Sequence, residues 1–168
     1  MSIIKMFNEW VSTSSHGNIN PEFEYTSKDK VYYGVHDVTI SRDGVSVDVK
    51  AKFDTGARSS SIDFSVGEKL GLSKELIDKC RKLDHLDIPK TISKKEQKQL
   101  EKKYTKELKS QFPEITKIQM SKSSSGFSIR AYVKLDINYY GNHVSTEANL
   151  RDRTGLSCEM LVGLKDML

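Results

Sequence analysis

The sequence predicts an all-β protein, α+β overall, with a charged helical insertion and an N-terminal helix. Three observations predict it. Apolar residues alternate with polar ones over two separate stretches, about 31–53 and 115–150. A Lys- and Glu-rich segment of helical period lies between them, and turn-forming residues punctuate the chain at the ends of the alternating runs.

Taken in order, residues 2–12 place Ile3, Ile4, Phe7, Trp10 and Val11 at helix-compatible spacing, which predicts a short amphipathic helix. The polar STSSHGNINPE that follows reads as a connection, so residues 1–28 are assigned to helix and linker and 29–168 to one β domain. Val31, Tyr33 and Val35, then Val38 and Ile40, alternate up to Arg42-Asp43-Gly44, a hairpin turn signal. Val45, Val47, Val49, Ala51 and Phe53 continue the period-two pattern and deliver the strand into Asp54.

The insertion spans about 66–112. VGEKLGL reads as a short helix. SKELIDKCRKL places Leu76, Ile77, Cys80 and Leu83 on one helical face behind Ser73. Ser93 with Glu96 three residues later forms a capping-box signature for a helix carrying Leu100, Tyr104 and Leu108 as a narrow apolar stripe. Beyond it, Ile115–Met120 reads as a strand, SKSSSG as a hairpin tip, Phe127–Ile137 as the returning strand, Asn138–Asn142 as a turn and Val144–Leu150 as a further strand. CEMLVGLKDML closes with an apolar run, a glycine and a short helical end.

Composition narrows the functional classes. The net charge of +4 is local: residues 73–112 hold 12 of the 27 Lys and Arg but only 7 of the 23 Asp and Glu. A solvated helix face laced with glutamates accounts for that excess, and nucleic acid is not the expected partner. No stretch approaches the roughly 18 apolar residues of a membrane span, and Glu9 interrupts the first residues too early for a secretory signal, so a cytoplasmic setting is expected. Cys80 and Cys158 stand far apart and are expected as free thiols. His16, His36, His85 and His143 occur singly, with no HExxH, CxxC or phosphate-binding glycine loop, so neither a metal nor a cofactor is expected.

The stretch KFDTGARSSSID carries the chemistry. Gly56 can take backbone angles that bring amides toward the Asp54 carboxylate, and Thr55 offers a hydroxyl to brace the loop. Ala57 offers none. A single carboxylate is a poor catalyst of amide hydrolysis, whereas two within about 3 Å share a proton and divide the roles of acid and base. The chain has one such loop, so a dyad needs two chains.

Three pieces together resemble the retropepsin-like aspartic proteases, and within them the family labelled ATP-dependent zinc proteases of bacteria and phages. They are GVHDVTISRDGVSVDVKAKFDTGARSSSID, VKLDINYYGNHVSTEANLRDR and MLVGLKDML. The resemblance implies a closed β-barrel, a homodimer, Asp54, Thr55 and Gly56 as the catalytic loop of each subunit, and a peptide or protein substrate. It places Ala57, Arg58 and Ser59 beside that substrate. Arg58 has two readings: it meets acidic side chains of the substrate, or it pairs internally with Asp63 or Asp152. The family's closing element reads Gly-Arg, where this chain has Gly163-Leu164, so Arg58 or Arg153 stands in for that arginine in the core. The competing reading is a non-catalytic binding or assembly module that uses the helical insertion as its interface.

Overall fold

A computed structural model of the chain describes residues 22–25, 29–124 and 126–167. The N-terminal helix expected over 2–12 lies outside the described residues. Residues expected as linker contribute β1 (Glu22–Tyr25), which pairs antiparallel with β2 (Asp29–Tyr32) in a small separate sheet. The motif Glu-Phe-Glu-Tyr has the alternation of a strand, too short to stand out beside the longer runs.

The strand expected from Val31 to Ile40 is broken. Gly34 takes φ +84°, a conformation open mainly to glycine, and separates β2 from β3 (Gly34–Arg42). Tyr32, His36, Val38 and Ile40 are buried, whereas Val35 is 52% exposed. Asp43 and Gly44, both at positive φ, form the two-residue turn into β4 (Val45–Asp54), on which Val49, Ala51 and Phe53 point into the core. The same device recurs between β7 (Gly126–Tyr139) and β8 (Asn142–Arg151), where Tyr140 and Gly141 make the turn. The turn is therefore two residues long, and Asn138, Tyr139 and Asn142 belong to strands.

The remaining strands are β5 (Ser61–Asp63), β6 (Ile115–Ser123) and β9 (Met160–Gly163). The sheet runs β3-β4-β9-β5-β8-β7-β6, and β3 also pairs with β7 through Thr39–Asn138, Ile40–Ile137 and Ser41–Asp136. Six strands thereby close into a barrel. The long β7 makes this possible: one half of an edge carries β6 and the other half carries β3. Closure removes the exposed edges that an open sheet would leave. Ile40, Phe53, Ile62, Ile137, Leu150 and Met160 fill the interior, each with 0% exposure.

The insertion folds as α1 (Phe64–Lys69), α2 (Lys74–Asp84) and α3 (Lys94–Gln111). The first begins two residues before the expected VGEKLGL, because the Asp63 carboxylate accepts from the Ser65 amide and caps it there. Ser73 caps α2, which buries Leu76, Ile77, Cys80 and Leu83 and packs against β7 and β8. The Ser93–Glu96 capping box opens α3, which rests on β6 and buries only Leu108 fully.

Candidate functional site

Two strands bring the site together. β9 lies between β4 and β5, parallel to β4 and antiparallel to β5, and its register sets Gly163 opposite Asp54. The loop from Thr55 to Ser60 must then cross the end of β9. A Cβ on Gly163 would come within 2.5 Å of the Ser59 carbonyl carbon and 2.7 Å of its nitrogen, so only glycine allows this crossing. Hydrogen bonds fasten it: Leu164 N donates to Ala57 O at 2.8 Å, Lys165 N to Arg58 O at 3.2 Å, and Gly163 N to the Ser60 hydroxyl at 3.0 Å. Ser60 donates in turn to Asp166 Oδ2 at 2.5 Å, in the short 3-10 turn Leu164–Asp166. Both side chains are buried, at 0% and 2% exposure, so the pair satisfies a carboxylate that water does not reach.

Asp54 ends β4 half-buried. Its Oδ1 accepts from the Gly56 amide at 2.8 Å, and the Ala57 amide bonds the Asp54 carbonyl at 3.2 Å. A Cβ on Gly56 would sit 3.1 Å from that same Oδ1, tighter than ordinary contact, so the glycine serves the close approach of amide to carboxylate. Phe53, fully buried against Tyr32, His36 and Tyr139, anchors the preceding residue. The carboxylate is thus held by backbone, and among the described residues no cation forms an ion pair with it.

The other expected site residues are contiguous with it. Thr55 and Ala57 are half-buried, Gly56 and Arg58 exposed, and Ser59 lies against Gly163. The Thr55 hydroxyl makes no hydrogen bond within the described residues. Internal pairing of Arg58 with Asp63 or Asp152 does not occur. Asp63 is already filled by the Arg153 amide on Oδ1 (2.6 Å) and by the Ser65 amide and hydroxyl on Oδ2. Burial pushes the Asp63 carboxyl up, but the Ser65 and Arg153 bonds outweigh it and hold the carboxyl below its ordinary range. Asp152 accepts from Thr154 N and stands 3.6 Å from His85. Of the two arginines considered for the core, the structure buries Arg153, whose guanidinium donates to Cys158 O at 2.9 Å and Ser61 Oγ at 3.0 Å.

His36 is a bonded core histidine, with Nδ1 2.6 Å from the Tyr140 hydroxyl and Nε2 2.7 Å from Tyr33 O. His85 and His143 stand near Asp152 and Asp136 at the surface. Among the described residues no three His, Cys, Asp or Glu side chains converge as metal ligands. Cys80 and Cys158 are free and buried, and burial pushes the Cys80 thiol up to about 12. No described helix is long and apolar enough to cross a membrane.

Sequence reasoning missed the Ser60–Asp166 bond and the cluster formed by Arg130 and Arg151. Nothing in local pattern marks Asp166 as buried, since it sits among residues that read as a solvated helix end. No protein-family model matches the sequence, and no curated protein matches it significantly.

Proposed function

We propose that the chain is an aspartic peptidase of retropepsin type, hydrolysing a peptide or amide bond between two Asp54 carboxylates contributed by two copies of the chain. The observation that carries this reading is the state of Asp54. It sits at the open end of a barrel strand, oriented by the Gly56 amide, with no cation paired to it among the described residues and one oxygen without a hydrogen bond there. Such a carboxylate is positioned for proton transfer rather than for structural pairing. The threading of β9 between β4 and β5, with Gly163 against Ser59, supports the same reading because it fixes the loop rigidly from behind.

In a dyad, two carboxylates at about 3 Å hold one proton between them. The ionised Asp54 takes a proton from water as it attacks the amide carbon, and the protonated one donates to the carbonyl oxygen. Collapse of the tetrahedral adduct then breaks the C–N bond and the amine leaves with a proton. Thr55, whose hydroxyl is unbonded among the described residues, is available to donate to the partner's loop. Arg58, exposed at the end of that loop, suits an acidic side chain of the substrate. The remaining expectations of the resemblance, a homodimer in the cytoplasm, belong to this proposal.

The test is peptide hydrolysis by the wild type and by Asp54→Asn at equal folded concentration, with oligomeric state read from sedimentation. Asn retains the acceptor for Gly56 N, so fold and assembly should persist while turnover falls about 10³-fold or more. A monomer in solution without turnover would leave the barrel as a binding module instead, and full turnover by the variant would refute Asp54 as the catalytic group.

A further inference from the structure

A second cleft, of about 360 Å³, opens beneath the β6–β7 hairpin, between it and the end of α2. Arg130 from β7 and Arg151 from the last position of β8 both line it. The β7–β8 ladder ends at Tyr132–Asn149, and Arg130 and Arg151 each lie two residues beyond that last pair, on neighbouring strands lining the same cleft. Like charges held close together repel, and here they do so partly out of water. Burial, and then the charge of Arg151, lower the pKa of the Arg130 guanidinium.

The available countercharges do not resolve this. Asp84 approaches Arg130 Nε only to 3.8 Å and gives its other oxygen to the Asp152 amide at 3.0 Å. Asp152 accepts from Thr154 N and stands beside His85. Arg151 Nε is buried with no hydrogen-bond partner among the described residues, and its side chain forms no ion pair among them. Buried donors of this kind are ordinarily satisfied, and a guanidinium is the group best shaped to grip two oxygens at once. The Lys90 side chain packs against the hairpin that covers the cleft, its Cε 3.8 Å from where a Cβ on Gly126 would lie.

We propose that Arg130 and Arg151 form an oxyanion-binding site, taking a carboxylate or phosphate group that bridges the two guanidinium planes beneath the β6–β7 hairpin. The site is distinct from Asp54 and stands whether or not Asp54 is catalytic.

The experiment follows the arginine Nε–Hε resonances of the full chain by NMR, titrating N-acetylglutamate, inorganic phosphate and, as a control, chloride. Saturable shifts of the Arg130 and Arg151 signals at millimolar anion are expected, with about tenfold weaker binding in Arg151→Gln. Because Arg151 has no side-chain partner to lose among the described residues and its repulsion of Arg130 is relieved, this variant should unfold no more easily than the wild type, and Arg151→Lys should recover binding only in part. Saturation by the carboxylate alone points to an acidic peptide as the source, and saturation by phosphate alone to a phosphorylated ligand. Equal linear drift with chloride, or unchanged binding in a folded Arg151→Gln, overturns the proposal. The same titration on Asp54→Asn separates the two sites, since it should bind the anion as the wild type does.

Discussion

Gly163→Ala tests the geometry that supports Asp54 from behind. The new methyl would lie 2.5 Å from the Ser59 carbonyl carbon, where ordinary contact begins at 3.4 Å, so strand and loop must part by roughly 0.9 Å. The obstacle is backbone, which cannot swing aside as a side chain can. Parting the two also strains three hydrogen bonds, those of Gly163 N, Leu164 N and Lys165 N to the loop. Overpacking costs about 1–3 kcal/mol, and because the three bonds are strained rather than lost they place the expected loss at the upper end of that range, near 3 kcal/mol. In a domain of this size that corresponds to roughly 6–12 °C in Tm. Urea denaturation followed by tyrosine fluorescence and far-UV dichroism reads it directly, with an unchanged slope indicating that the unfolded state is unaffected. Stability within about 0.5 kcal/mol of wild type would refute the close crossing of loop and strand.

Three further outcomes follow from the site. Asp54→Asn should abolish peptide hydrolysis without moving the unfolding midpoint by more than about 0.5 kcal/mol, because the carboxylate is only half-buried and Asn still accepts from Gly56 N. Asp63→Ala should destabilise the chain by about 1–2 kcal/mol at pH 7 through loss of the α1 cap. Since the folded Asp63 carboxyl titrates below its unfolded value of about 4, its ionic contribution is present above that pH and fades as pH falls through the lower folded value. The difference between wild type and Asp63→Asn should therefore be greatest near neutrality and shrink in acid, and a gap that widens in acid would contradict the assignment. Cys80, with its thiol pushed up to about 12 by burial, should resist maleimide at pH 8 until the chain unfolds. Prompt labelling of the native protein at Cys80 would contradict its place on the buried face of α2.

Where the sequence carried strong local signals, it agreed with the structure. Strand β4, with apolar residues at every second position, runs into Asp54 as its alternation predicts, and both N-caps of α2 and α3 fall on the serines their spacing marks. Asp43-Gly44 turns the first hairpin because two successive positive φ values suit Asp and Gly. Tyr140-Gly141 makes the equivalent turn, but an aromatic at positive φ gives no warning, and the turn was read as longer. On β3 the apolar positions Val38 and Ile40 are buried, while Val35, next to the break at Gly34, is exposed.

The candidate site divides along the same line. Asp54 to Ser59 are contiguous, so their proximity was legible as soon as the loop was. No local pattern marked MLVG as the strand drawn between β4 and β5, because pairing across about a hundred residues leaves no periodic trace. The Ser60–Asp166 bond and the neighbouring Arg130 and Arg151 are equally non-local. Each joins residues whose own neighbours are unremarkable, and only the register of β7, β8 and β9 brings them together.

The central claim, that catalysis arises between two copies of one loop, is tested most directly by the separation of the two Asp54 side chains in the assembled protein. A crystal structure of the dimer should place their carboxylate oxygens about 3 Å apart across a two-fold axis. A dimer with the loops facing away from each other, or a chain that crystallises and sediments as a monomer, would contradict it.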